Sequence, residues 1–338
     1  MTTFSLLVLV VVAALIFDFI NGFHDTANAI ATVVSTGVMR TRTAVLMAAV
    51  LNVVGAFLGT AVASTVGKDL IDPGHVTQQL VLAALLSAIT WNLLTWWFGI
   101  PSSSSHALVG GLIGAGISAL GMGAIKPEGV EKVVTALVIS PFLGFFISFV
   151  LMVGMYWMVR RVRPARLNTI FKRLQVFSAG FMALSHGTND AQKTMGVITM
   201  ALVSYNGTYD PAAKFPVPTW VVLACALAMG LGTASGGWRI IKTMGSKIFK
   251  LRPIHGFCAE TGAATLLQVA SHFGLPVSTT HVITSAIMGA GATTRLSAVS
   301  WGVTQRILVA WILTIPVCLA LGEGFYKLFT LIGLTAAA

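Results

Sequence analysis

The chain has 338 residues, of which 56% are hydrophobic and only 9% are Asp, Glu, Lys or Arg. Soluble globular domains carry about 25% charged residues, so this composition excludes that class and indicates a polytopic membrane protein. The apolar runs reach roughly 20 residues, which is helix length, whereas a membrane β-barrel needs alternating segments of about 10 residues. We therefore predict an all-α membrane protein.

Ten apolar segments follow one another along the chain, five in each half. Those of the first half are 4–36, 43–66, 77–98, 103–122 and 133–159, and those of the second half are 175–203, 218–236, 254–273, 277–293 and 303–335. The first segment is too long for one straight span, and we expect its polar motif to interrupt it. The pattern predicts a first repeat over 1–160, a basic cytoplasmic linker over 161–174 and a second repeat over 175–338.

The formal net charge of +11 comes largely from short loops between apolar segments. These loops contain Arg40 and Arg42; Arg160, Arg161, Arg163, Arg166, Lys172 and Arg173; and Arg239, Lys242, Lys247, Lys250 and Arg252. The positive-inside rule places all three loops in the cytoplasm, which favours a topological role over nucleic-acid binding. An odd number of segments in each half then makes the two repeats inverted, with broken helices at mid-membrane and both termini extracytoplasmic.

Two features exclude other interpretations of the chain. The run 4–17 has no charged region before it and leads directly into a polar motif, so we do not expect a cleaved signal peptide. The three cysteines, Cys225, Cys258 and Cys318, are scattered in apolar runs. Neither a disulfide framework nor a zinc site is predicted.

An acidic motif occurs twice. Residues 21–31 (NGFHDTANAIA) and 186–196 (HGTNDAQKTMG) align Gly22 with Gly187 and Asp25 with Asp190 at an offset of 165. A charge inside apolar sequence is costly unless it is solvated or paired, so both aspartates are candidate functional residues, with a salt bridge or a helix cap as the alternative. Asn28 and Asn21 lie one turn either side of Asp25. Oxygen ligands of this kind suit a monovalent cation or a proton relay.

The second copy of the acidic motif has Lys193 where the first has Asn28. An ammonium group at that position could neutralise Asp190 permanently and make the two half-sites unequal. Two further carboxylates, Asp18 and Glu260, have no counterpart in the repeat. Each is a candidate proton or cation carrier or, alternatively, half of an ion pair.

A hydroxyl motif also occurs twice, as GIPSSSSH at 99–106 and GLPVSTTH at 274–281, at an offset of 175. Pro101 and Pro276 each mark a helix restart and are expected in the first turn of the new helix. The hydroxyl groups then lie beside free N–H groups at a helix N-terminus, which is a site for an anion such as a tetrahedral oxyanion. The alternative is that these residues are only helix caps and small packing residues.

Two details of the hydroxyl motifs stay open on sequence alone. His106 and His281 either donate to the anion or close the hairpin by bonding a carbonyl group. The segments on either side of each proline are either two full spans or a re-entrant hairpin.

Taken together, both acidic motifs, both hydroxyl motifs and Glu260 resemble the PiT family of inorganic phosphate transporters over nearly the whole chain. The resemblance implies phosphate–cation symport by a dimer of inverted-repeat protomers. It implies phosphate bound at Ser103, Ser104, Ser105, Ser278, Thr279 and Thr280, and the coupling ion served by Asp25, Asn28, Asn189 and Asp190. The string from Asn189 to Lys193 is similar to the bacterial low-affinity branch, which is associated with protons and metal–phosphate complexes, and departs from the more symmetric sodium-coupled pattern.

We therefore expect a secondary active symporter of the bacterial plasma (inner) membrane that works by alternating access and is not an enzyme. Phosphate, alone or as a metal complex, is the expected substrate, with membrane lipid and a second copy of the chain as partners and no cofactor beyond the coupling H⁺ or Na⁺. The candidate phosphate site includes His106 and His281, and the candidate coupling-ion set adds Lys193, Glu260 and Asn21. Sodium, if used, would be held by Asp25, Asn28 and Asp190.

Three other functions compete with this one. A transporter of sulfate or another tetrahedral oxyanion would need the same donors. An intramembrane hydrolase is disfavoured because neither motif resembles a nucleophile elbow and no carboxylate adjoins the Ser–His pair. A channel fits paired broken helices and buried carboxylates less well than a gated carrier does.

Overall fold

The computed structural model describes residues 2–210, 213 and 215–334. Within these residues the chain forms twelve α-helices, and its only β-pairing is an isolated bridge between Ile71 and Ile125. In chain order the helices are α1 (Thr3–Ser35), α2 (Thr41–Ala56), α3 (Ala61–Lys68), α4 (Gln78–Phe98), α5 (Ser104–Leu120), α6 (Pro127–Val159), α7 (Pro164–Asn206), α8 (Thr219–Ser235), α9 (Trp238–Lys242), α10 (Pro253–His272), α11 (Thr279–Ala292) and α12 (Trp301–Leu331). The predicted all-α class is confirmed.

Several of these helices have the length and composition of membrane spans. In the described part of the chain, α1, α4, α6 and α12 are each long and apolar enough to cross a membrane. Two further pairs pass the same test together but are bent, α2 with α3 by 72° and α8 with the helix over 238–247 by 60°. The chain is therefore a multi-pass membrane protein with broken helix pairs.

The breaks lie where the sequence did not place them. Segment 43–66 was predicted as one span, yet α2 stops at Ala56 and α3 begins only at Ala61. Segment 218–236 forms one helix, α8, and the break follows it. In the second half α8 ends at Ser235, and the next residue, Gly236, has a φ of +76°, which a residue with a side chain rarely adopts. The chain then re-forms a helix, α9, that continues as a π-helical turn over Thr243–Lys247, so this basic segment is not a plain loop.

The acidic motifs, in contrast, do not interrupt the helices that contain them. The expected break in the first segment is wrong, since α1 runs unbroken from Thr3 to Ser35 and α7 is equally continuous through its motif. The motif glycines serve helix packing instead. A Cβ on Gly22 would overlap the α8 backbone at Met229, and one on Gly187 would overlap the α2 backbone at Asn52. Small residues at such positions let the backbones of membrane helices approach closely.

The predicted linker over 161–174 is mostly helical. Helix α6 ends at Val159 and α7 already begins at Pro164, so residues 160–163 alone connect them. Proline suits the first position of a helix because its missing N–H would have no partner there. The basic residues from Arg166 to Arg173 consequently lie on the first turns of α7.

The two hydroxyl motifs have matching local structure. A glycine with positive φ, Gly99 at +65° and Gly274 at +66°, follows α4 and α10 respectively. The prolines lie in the extended segment after it and not in the first helical turn, which corrects the prediction. The helices begin later because the serine hydroxyl groups of Ser103 and Ser278 cap them.

The two halves reuse the same helix pairings. Helix α1 packs along α8 as α7 packs along α2, and α5 packs along α12 as α11 packs along α6. Helices α5 and α11, with 17 and 14 residues, span about 26 and 21 Å, less than the roughly 30 Å of a hydrocarbon core. Helices α5 and α11 are thus each shorter than a full span, whereas α4 has the length of one. The inverted orientation of the halves in the membrane stays a prediction.

A buried polar site between the two halves

The two hydroxyl motifs meet inside the molecule. Ser105 Oγ donates to the carbonyl oxygen of Val277 at 3.2 Å, which joins one motif directly to the other. The rings of His106 and His281 lie 4.3 Å apart, and His281 stacks on Trp311 at 3.8 Å. The motif hydroxyl residues are all buried, with at most 4% of any of them exposed. The two helix restarts therefore lie against one buried region.

Each motif presents a helix N-terminus to this site. Ser103 Oγ accepts from the His106 N–H at 3.1 Å, and Ser278 Oγ accepts from the His281 N–H at 3.2 Å. The N–H groups of the first two residues in each helix have no preceding carbonyl within their own helix. Two such termini side by side produce a region of positive potential, which favours an anion.

The acidic motif of α1 contacts the hydroxyl motif of the second half. Asn28 Nδ2 donates to Thr280 Oγ1 at 2.9 Å and to Thr279 Oγ1 at 3.2 Å. Thr280 Oγ1 also donates to Asp25 Oδ1 at 3.4 Å, and His24 Nδ1 lies 2.6 Å from the same carboxylate oxygen. Asp25 and Asn28 are therefore in direct contact with the candidate anion site.

The acidic motif of α7 contacts both hydroxyl motifs through one ammonium group. Lys193 Nζ forms an ion pair with Asp190 and donates to Ser105 Oγ at 2.5 Å and to the Val277 carbonyl at 2.9 Å. Thr279 Oγ1 donates to Asp190 Oδ2 at 3.0 Å. Lys193 thus neutralises Asp190 in this conformation and also links the two hairpins.

Asp25 and Asp190 come together with a histidine that sequence reasoning did not single out. One ligand atom each from Asp25, His186 and Asp190 lie within 4.8 Å of one another, a spacing that could hold a metal ion. His186 Nε2 is 3.3 Å from Asp190 Oδ2, and His186 Nδ1 is 3.1 Å from Asn52 Oδ1 on α2. Asn28, the third predicted sodium ligand, contacts Thr279 and Thr280 through its amide nitrogen.

Three asparagine side chains of the acidic motifs keep a buried oxygen without a hydrogen-bond partner. They are Asn21, Asn28 and Asn189, each through Oδ1. The amide nitrogen of Asn189 is used elsewhere, since it donates to Ser271 Oγ at 2.9 Å. Buried amide oxygens without donors suit a hard cation such as Na⁺, so these residues fit the predicted ion.

Glu260 forms a network of its own. Its carboxylate accepts from Thr32 at 2.5 Å, from Gln175 at 3.0 Å and from Ser178. Asp18 accepts from Thr194 at 2.9 Å through Oδ1, while its Oδ2 has no partner. No ion pair reaches either carboxylate in the described residues, so the ion-pair alternative for both is wrong.

The histidines of the hydroxyl motifs do not form a hydrolytic triad. His106 Nδ1 lies 2.6 Å from Ser103 Oγ, but no carboxylate contacts His106 in the part of the chain that is described. Without an acid to orient the imidazole, the general base of a serine hydrolase is incomplete. Ser103 already serves as a helix cap.

Sequence reasoning missed four polar residues of this region: His24, His186, Asn52 and Thr95. His24 reaches from Asp25 to Thr95 Oγ1 at 3.3 Å, and Asn52 joins His186 to the Thr233 hydroxyl at 2.8 Å. A signal for the histidines was present. At the offset of 165, Asn21 aligns with His186 and His24 aligns with Asn189, so histidine and asparagine exchange places between the copies.

Apolar spanning helices with two broken pairs surround paired helix N-termini and buried carboxylates, and this combination defines the class of membrane transporters. The sequence model of the phosphate transporter family matches residues 21–322. The chain belongs to the phosphate transporter family, which confirms the resemblance drawn from its motifs.

Individual proteins resemble the chain over most of their length. It is 48% identical to a probable low-affinity inorganic phosphate transporter of Bacillus subtilis, over 97% of this chain and 98% of that protein. A protein of the same description from Rhizobium meliloti is 52% identical over 93% of both chains. A solved structure named "The sodium-dependent phosphate transporter" matches with a TM-score of 0.87 at 26% identity, and the match covers 97% of this chain and 100% of that one.

Proposed function

We propose that this chain moves inorganic phosphate across the plasma membrane as a secondary active symporter driven by a proton or sodium gradient. The observation that carries the proposal is the meeting of two hydroxyl-capped helix N-termini in a buried site, in a chain of the phosphate transporter family. A tetrahedral oxyanion would exchange its water shell there for hydroxyl and N–H donors.

The bound phosphate would contact the hydroxyl groups of Ser103, Ser104, Ser105, Ser278, Thr279 and Thr280, with His106 and His281 beside it. In the present conformation several of these hydroxyl groups are bonded to Asn28, Asp25, Asp190 and Lys193. Phosphate would replace these bonds, so its binding would directly alter the partners of both aspartates. This exchange couples the anion to whichever cation the aspartates hold.

The cation site would use Asp25 with the amide oxygens of Asn28, Asn21 and Asn189, and Asp190 would stay paired with Lys193. Glu260 and Asp18 are the candidate groups for carrying a proton. A dianion in a low-dielectric site needs compensating positive charge, which supports symport over uniport. Alternating access would move one repeat against the other around this site.

Uptake of labelled phosphate into proteoliposomes tests the proposal. We expect saturable uptake that is driven by an imposed gradient and is lost in Asp25→Asn, whereas Asp72→Asn, a partly exposed carboxylate in a loop, serves as the matched control. Saturable uptake that survives Asp25→Asn would contradict the assigned cation site. No phosphate flux in the wild type would contradict the substrate.

Competition identifies the oxyanion. Hydroxyl and N–H donors recognise tetrahedral shape, so arsenate should compete with phosphate, and sulfate should compete poorly if its lower basicity weakens charge-assisted bonds. Equal competition by sulfate would favour the alternative oxyanion transporter. Applying sodium and proton gradients separately identifies the coupling ion, and adding divalent metal tests a metal–phosphate substrate.

Assembly and orientation belong to the same proposal. We expect a homodimer in the bacterial inner membrane, with both termini outside the cytoplasm. Labelling of single cysteines introduced at Thr2 and at Arg166 from either side of the membrane tests the orientation. Cross-linking in native membranes tests the dimer.

A further inference from the structure

Two adjacent cavities lie where α6 ends and where α7 and α10 begin. Their volumes are about 540 and 600 Å³. Both are lined by Tyr156, Arg252 and His255, and a hydrogen bond of 3.0 Å joins the Tyr156 hydroxyl to His255 Nε2. The cavities therefore flank one shared wall, in a part of the molecule that the transport site does not use.

The first cavity is lined mainly by apolar side chains. Its lining includes Val159, Val162, Leu167, Phe171 and Ile254. The neighbouring surface is apolar as well, since Trp157 is 69% exposed and Met158 is 73% exposed. Exposed tryptophan is typical of the membrane–water interface, so the cavity opens at the depth where a lipid chain begins.

The rim of the cavities carries positive charge without compensation. Arg160 and Arg252 line the first cavity, and Lys250, Arg252 and Arg295 line the second. None of these four cations forms an ion pair in the described residues, and neither cavity is lined by Asp or Glu. Arg160 instead lies over the Trp157 ring at 5.3 Å, which fixes it at the interface.

Another cavity, at the opposite end of α6, provides a comparison for the paired cavities. Near the start of α6, a cavity of about 590 Å³ has an equally apolar lining that includes Leu143 and Leu266. There the charged residues are mixed, with Glu128 and Glu131 beside Lys132. An apolar cavity of this size therefore occurs elsewhere on α6. The paired cavities differ from it because their lining contains basic residues and no carboxylate.

We propose that the paired cavities bind an anionic phospholipid. Its phosphate lies between Arg160 and Arg252, and one acyl chain fills the apolar cavity against Leu167 and Phe171. Basic pockets between membrane helices on the cytoplasmic side suit anionic headgroups. Free phosphate has no apolar part that would fill the apolar cavity, whereas a phospholipid has an acyl chain. A zwitterionic lipid would bring its ammonium group towards the same cations. The lipid would contact α6 of the first half and α7 and α10 of the second half together.

Lipid binding to the purified full-length protein in detergent tests this, by native mass spectrometry with phosphatidylglycerol and phosphatidylcholine. We expect preferential retention of phosphatidylglycerol, and a loss of about 30-fold in its affinity in the double variant R160Q/R252Q, since each basic group near the headgroup contributes about fivefold. The matched control is R163Q/R166Q, which removes the same charge from the same region but from residues that do not line the cavities.

Several outcomes would overturn the proposal. They are equal binding of both lipids, equal losses in the two double variants, and displacement of the lipid by millimolar inorganic phosphate, which would indicate a site for the free anion. If R160Q/R252Q does not fold, L167W provides a second test, because it fills the apolar cavity with the cations intact and should reduce phosphatidylglycerol binding. Retention by L167W equal to the wild type would then contradict the site. The measurement does not involve flux, so it is independent of the proposed transport function.

Discussion

The acidic motifs of α1 and α7 occupy equivalent places in the two halves, yet they satisfy their aspartates differently. Asp25 has a histidine beside it and a threonine hydroxyl, and Asn28 bonds only neutral groups. Asp190 has a permanent cation, Lys193, one turn away on its own helix. The hydroxyl motifs differ far less. The candidate anion site is thus nearly symmetric between the two repeats, whereas a lysine neutralises the aspartate in the second repeat only.

The largest effect is expected from Asp190→Asn. It leaves the Lys193 ammonium buried without its counter-ion, which should destabilise the protein by about 3–5 kcal/mol. Asp25→Asn should cost only about 1–2 kcal/mol, because Asp25 contacts His24 and the Thr280 hydroxyl and has no lysine or arginine partner to leave unpaired. Denaturation in mixed micelles measures both. Restoring stability with D190N/K193M would support the pairing, and equal costs for the two single variants would contradict the asymmetry.

Lys193→Asn makes the second copy resemble the first. Asp190 keeps the Thr279 hydroxyl as a donor and has His186 Nε2 3.3 Å away, so the fold should survive with a smaller loss than in D190N. With the fixed ammonium gone, Asp190 needs another cation, and phosphate uptake should gain or strengthen its dependence on sodium. Uptake into proteoliposomes at matched pH, with and without a sodium gradient, is the measurement. A folded variant indifferent to sodium would rule out Lys193 as a substitute for a bound cation.

The two carboxylates outside the repeat give the next contrast. Glu260 accepts from Thr32, Gln175 and Ser178. In Glu260→Gln the amide NH2 group would face groups that are themselves donors, so the variant should lose about 1–3 kcal/mol of stability. Asp18 accepts from Thr194 and has the Cys225 thiol as a second hydrogen-bonding neighbour, and Asp18→Asn keeps an acceptor for both, so the cost should be below about 1 kcal/mol. Thermal unfolding measures these costs, and uptake across a proton gradient shows which variant loses the response. A larger loss of stability in D18N would reverse the ranking.

The smallest differences should come from the helix caps. Ser278→Ala removes one N-cap bond and should cost about 1 kcal/mol. Ser103→Ala should cost slightly more, about 1–2 kcal/mol, because Ser103 also contacts His106 Nδ1. Unfolding of both variants side by side tests whether the hydroxyl motifs are as nearly equivalent as they look.

Much of the fold follows from the sequence, and the exceptions share a cause. The apolar segments other than 43–66, the capped restarts after Pro101 and Pro276 and the pairing of Lys193 with Asp190 are local patterns, and each is present. The continuity of α1 was missed because Gly22 signals a break locally, whereas it serves a helix contact with Met229, more than 200 residues away in the chain. The roles of Asn52 and Gln175 depend on which helices pack together, and residue spacing does not encode that.

Helix α7 has a mechanical consequence of its own. Its 43 residues form one unbroken rod of about 65 Å, with about 39 Å between Pro164 and Asp190. A tilt of about 10° around Asp190 would therefore carry Pro164, and with it the basic end of the helix, through roughly 7 Å. A small tilt of α7 at the buried ion pair thus becomes a large displacement of its basic end at the protein surface. A probe attached there would detect this displacement.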